Sequence, residues 1–109
     1  MNVIFKEAAL EELYKTGTTK NHKYKILCRN KKLVDGFARA VDYMKGVRNT
    51  KDLKCISSLH YEKLKYQRES MSSIRILNGS IERLLFTETE DGIEVELIEI
   101  DSTHYGNKK

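Results

Sequence analysis

Apolar positions recur at spacings of three and four through the first half of the chain, and every second residue in the last third. Val3-Ile4-Phe5 predicts a short opening strand. Glu7–Thr16 reads as a helix, with Ala9, Leu10, Leu13 and Tyr14 on one face and Gly17 as its stop. From about His22 to Lys45, the residues Tyr24, Leu27, Lys31, Val34, Phe37, Val41 and Met44 keep helical spacing, and only Lys31 interrupts the apolar stripe. Gly36 costs about 1 kcal/mol inside a helix. The segment is therefore one long amphipathic helix or two broken near Gly36, closed by Gly46. Tyr24, Phe37 and Met44 belong to the core. Asn49 or Thr50 can cap one further turn running to Lys54.

After Ile56 the period falls to two. Ser73–Leu77 alternates, Asn78-Gly79 is a turn signal, and Ile81–Glu88 forms a second strand. Ile93–Asp101 follows as a third strand. Its apolar phase slips from the odd positions Ile93, Val95 and Leu97 to the even positions Ile98 and Ile100, which calls for a bulge near Leu97-Ile98. A strand, two helices and an antiparallel meander make an α+β domain with the helices on one face of a small sheet. Two hairpin registers are open. A two-residue Asn78-Gly79 turn pairs Arg75 with Glu82, whereas an odd-length loop sets Arg75 directly opposite Arg83. Like charges directly opposite destabilise a sheet unless an anion lies between them. That argument favours the odd loop, with both arginines on the face of His60.

The 109 residues argue for one domain over the whole chain, 1–109. No apolar block is long enough for a membrane span or a secretory signal. Cys28 and Cys55 are the only cysteines, with no zinc-ligand spacing. We expect a reduced, cytoplasmic protein without metal or cofactor. Residues 1–70 hold 16 Lys/Arg against 8 Asp/Glu, and residues 71–109 hold 4 against 8. A basic front with an acidic tail suits a polyanionic partner, most simply nucleic acid. A solvated charged surface explains the same balance equally well.

Four segments in order then carry a resemblance: Ser58-Leu59-His60-Tyr61-Glu62-Lys63-Leu64-Lys65, Ser73-Ile74-Arg75-Ile76, Glu82-Arg83-Leu84-Leu85-Phe86, and the end Ile98–Tyr105. Leu13–Gly17 and Lys51-Asp52-Leu53 extend it. Together they resemble the HigB-like branch of the RelE/ParE toxin superfamily, the plasmid maintenance killer proteins. The resemblance covers almost the whole chain. It implies a small curved antiparallel sheet with two N-terminal helices. It also implies the toxin of a type II toxin–antitoxin pair, cutting mRNA on the ribosome without metal. The implied partners are a HigA-like helix-turn-helix antitoxin, the ribosome and mRNA. Two departures stand out. Tyr66-Gln67 replaces the family's Gly-Asp, and the Arg75–Arg83 spacing is longer than in the family pattern.

Metal-free RNA cleavage uses the ribose 2′-OH as nucleophile. It needs a proton acceptor, a proton donor for the leaving 5′-oxygen, and cations at the phosphate. His60 is the first candidate for proton transfer. The resemblance makes His104 the second and places Tyr105 where it can stack a base or donate its hydroxyl. Lys63, Lys65 and Arg68 form a basic cluster beside His60 that can meet phosphate, or protect an exposed strand edge. Lys63 and Arg83 join the histidines as catalytic candidates. Lys65, Arg68, Arg75 and Tyr105 are substrate-binding candidates. Asp101 can orient a base or simply end a strand. Lys25, Arg29, Lys32 and Arg39 can face an acidic antitoxin or ribosomal RNA, although a solvated helix face is the simpler reading. His22 should face solvent. Two alternatives to the nuclease remain: a ParE-like toxin that binds gyrase without hydrolysis, and a degenerate toxin retained for antitoxin binding.

Overall fold

In a computed structural model, residues 1–64 and 71–102 are described. The opening strand β1 is Asn2–Phe5, followed by helix α1, Ala8–Thr16. Gly17 ends α1 in the left-handed conformation, with φ 82°, and its N–H returns to the Leu13 carbonyl. This is the αL cap that glycine adopts without a Cβ penalty.

The next segment differs from expectation. His22–Tyr24 and Leu27–Arg29 are separate 3₁₀ turns, and the helix α2 runs unbroken from Lys31 to Gly46. The break falls at Asn30, not Gly36. Asn30 is an N-cap whose side chain accepts from Leu33 N at 3.2 Å. Lys31, which interrupts the stripe, is thus the first helical residue. Gly36 sits inside α2 because a Cβ there would lie 2.0 Å from the Ile76 carbonyl oxygen. The helix backbone passes that close to the sheet. Asn49 caps the short helix α3, Thr50–Lys54, by accepting from Asp52 N at 2.9 Å.

The strands β2 (Glu62–Lys63), β3 (Ser72–Arg75), β4 (Arg83–Glu88) and β5 (Glu94–Asp101) complete a sheet of order β1-β5-β4-β3-β2. The last four strands are antiparallel neighbours, while β1 lies parallel to β5, with Val3 opposite Val95. The α+β architecture therefore stands with a mixed sheet. The β5 register slips between Leu85 and Phe86, which face Glu99 and Leu97, so Ile98 is the extra residue of the expected bulge. Val95, Leu97 and Ile100 are buried, and Ile93, just before the strand, is exposed. Tyr24, Phe37, Val41 and Met44 join Leu10, Leu13, Ile74, Leu84 and Phe86 in one core between the helices and the sheet. No helix among the described residues is long and apolar enough to cross a membrane.

Candidate functional site

The hairpin takes the odd register. Arg75 lies opposite Arg83 and Ile74 opposite Leu84. Asn78 does not adopt the positive φ that a two-residue Asn-Gly hairpin turn needs, whereas Gly79 does, at 85°. Ser80 N closes that turn on the Leu77 carbonyl at 3.2 Å. Across β3, β4 and β5 the same row continues to Asp101, which is buried and faces Arg83.

Arg83 is largely buried, its side chain 14% exposed. Its Nε donates to Ser73 Oγ at 2.8 Å, and its terminal nitrogen donates to the backbone carbonyl of His60. Glu62 lies 3.8 Å away on the same face. The guanidinium therefore clamps the segment leading into β2. His60 is exposed and ends the 3₁₀ turn Ser57–Leu59 with φ 49° and ψ 55°. It is the one non-glycine residue with positive φ among the described residues. A left-handed L-residue costs roughly 1–2 kcal/mol. Such strain persists where surrounding contacts hold it, and here the Arg83 hydrogen bond does so.

Lys63 is not on this face. In the register of β2 it pairs with Ser72, whereas Arg83 belongs to the Arg75 row, and odd and even rows project to opposite sides. Its Nζ is 3.7 Å from Glu88 Oε2, so the structure does not bring the two cationic catalytic candidates together. Lys63 instead edges a polar cluster that sequence reasoning missed. Tyr61 donates to Glu88, Ser72 Oγ donates to the same oxygen at 2.9 Å, and Lys54 lies over the Tyr61 ring at 5.1 Å. Burial works to raise the Glu88 carboxyl. Hydrogen bonds from Tyr61, Thr50 and Ser72 and the Lys63 charge outweigh it and hold the group below its ordinary value. Burial, reinforced by Glu88, pushes the Tyr61 phenol up to about 12. No periodicity marks Glu88 as special; at the end of β4, it meets Tyr61 only through a side-chain hydrogen bond that reaches across β3.

Arg75 is half-buried, and among the described residues its Nε is enclosed without a hydrogen-bond partner. Lys25, Arg29, Lys32 and Arg39 are exposed, as is His22. Lys65, Arg68, His104 and Tyr105 lie outside the described residues. No group of three or more His, Cys, Asp or Glu side chains among the described residues is arranged to hold a metal ion.

Set against models of known protein families and against curated proteins, the chain matches none of them.

Proposed function

We propose that the chain is a cytoplasmic toxin of a type II toxin–antitoxin pair, a ribosome-dependent endoribonuclease of the HigB-like kind. Its partners are then mRNA, the ribosome and a HigA-like antitoxin. The observation that carries this reading is the held conformation of His60. Its exposed imidazole ends a left-handed turn, and Arg83 fixes its backbone beside a second arginine directly across the strand pair.

In the reaction the 2′-oxygen attacks the adjacent phosphorus and the 5′-oxygen leaves. The products are a 2′,3′-cyclic phosphate and a free 5′-hydroxyl. His60 takes the 2′-OH proton or supplies the proton to the leaving oxygen, since an imidazole near neutrality can do either. The resemblance alone assigns the complementary proton to His104. Arg83 is a positioning residue: it acts through the His60 backbone. Arg75, directly across the strand pair from Arg83, contacts the RNA backbone beside the reacting phosphate.

A second reading has an observation of its own. Lys63 faces Glu88 and Arg83 holds backbone, as in a degenerate toxin that keeps its fold to bind an antitoxin. Controlled expression of the gene without its neighbour separates the readings. Growth arrest with new mRNA 5′ ends inside codons, lost in His60→Ala, supports the nuclease. Arrest with an SOS response and intact mRNA overturns it in favour of a gyrase poison. Absence of any effect, with antitoxin binding retained, overturns it in favour of the degenerate toxin.

A further inference from the structure

A pocket opens beside the end of β3, between α2 and the turn that precedes His60. Arg39 and Tyr43 line it from α2, Ser58 from the turn, and Arg75 and Asn78 from the strand end and the loop beyond. No carboxylate is among its lining residues within the described part of the chain. None of these five polar side chains makes a hydrogen bond or ion pair among the described residues, and the Arg75 Nε is buried as well. Nearby polar groups behave otherwise. Glu82 is held by Ser80 at 2.6 Å, Asp42 by Tyr14 at 2.5 Å, and Arg83 by Ser73.

A buried donor left unmade costs about 1–3 kcal/mol, and more when charged. An oxyanion supplies the partner that the enclosed Arg75 Nε lacks. Arginine forks match phosphate oxygens two at a time, and hydroxyl and amide donors complete the shell. The Tyr43 ring, 41% exposed at the rim, offers a face for a base. The Gly36 contact with Ile76 sets α2 close enough to β3 for the two arginines to line one cavity. The pocket also adjoins His60. Ser58 lies two residues before it, and Arg75 faces the arginine that holds its carbonyl.

We propose that this pocket receives a phosphodiester of the RNA strand neighbouring the one that is cut, with Tyr43 against the attached base. The proposal rests on the nuclease reading for the identity of the strand. It is tested by fluorescence anisotropy with a short labelled 2′-O-methyl RNA, which binds but cannot be cleaved. Each phosphate neutralised on a single strand contributes roughly 0.7 to the slope of log affinity against log salt. Arg39→Gln and Arg75→Gln should each weaken binding about tenfold or more and flatten the slope by roughly 0.7. Lys15→Gln, on α1 and away from the pocket, should change neither. Arg39 is exposed, so its variant carries the test even where Arg75→Gln fails to fold; Ser58→Ala should weaken binding in the same direction. Affinity and slope unchanged in Arg39→Gln overturn the pocket, as does an equal loss in Lys15→Gln. Toxicity that needs His60, with RNA binding indifferent to both arginines, overturns the pocket and leaves the nuclease standing. Arginine-dependent RNA binding by a chain that arrests nothing supports the pocket and overturns the nuclease.

Discussion

Gly36→Ala puts the close approach of α2 to the Ile76 backbone under strain. The added Cβ would sit 2.0 Å from the Ile76 carbonyl oxygen and 3.1 Å from its carbon. Both atoms are backbone of the sheet side, so neither can rotate away. Relief requires α2 to move outward by roughly 1 Å, and α2 carries Phe37, Val41 and Met44, all fully buried. A gap of that size forfeits about a quarter of a side chain's dispersion contacts, on the order of 1 kcal/mol for each such residue. The loss of about 3 kcal/mol is offset by about 1 kcal/mol of helix propensity. The variant should therefore be about 2 kcal/mol less stable. Urea unfolding followed by far-ultraviolet circular dichroism measures this as a lower midpoint at unchanged m. Gly46→Ala is the control. Nothing lies within 4 Å of its added Cβ, so it should gain up to about 1 kcal/mol. A Gly36→Ala variant as stable as wild type, with the same m-value, would refute the close-approach argument. The pocket geometry built on that approach would fall with it.

His60→Gly relieves the left-handed turn, so it should be equal to wild type in stability or up to about 1 kcal/mol better, while toxicity disappears; a stability loss above that size would show the imidazole to be structural. Arg83→Lys keeps the charge but cannot hold Ser73 Oγ and the His60 carbonyl together, and should cost about 1–3 kcal/mol by thermal melting. The Glu88 carboxyl is depressed on folding, so its stabilising contribution is present above the unfolded value of 4.5 and is lost as pH falls through the lower folded one. The Tyr61 phenol is raised, so its contribution is present below pH 10 and is lost as pH rises toward about 12. Urea titrations across pH should show both losses in wild type, with the acid one smaller in Glu88→Gln and the alkaline one smaller in Tyr61→Phe; Asp91 on the acid side and Tyr14, Tyr24 and Lys23 on the alkaline side keep the remainder.

Local pattern determined much of this protein. The apolar spacing of α1, the Gly17 stop, the Asn49 cap and the phase slip at Ile98 each depend on a few neighbouring residues, and each is legible in the sequence. The odd hairpin register followed from charge and parity, because the side-chain period of a strand is two and one residue of slip reverses every face. Contacts between segments distant in the chain were decided only by tertiary structure. Gly36 reads as a helix breaker, yet the sheet carbonyl it meets comes from residue 76 and turns its missing Cβ into a requirement. The Asn30 break stayed hidden because Tyr24 and Leu27 are buried from 3₁₀ turns that imitate helical spacing. Lys63 and Arg83 share a charge but not a face, since edge pairing with β3 sends Lys63 toward Glu88. Arg83 looks like a phosphate ligand in a motif. Folding set the His60 carbonyl beside it, and the hydrogen bond they form places the exposed histidine.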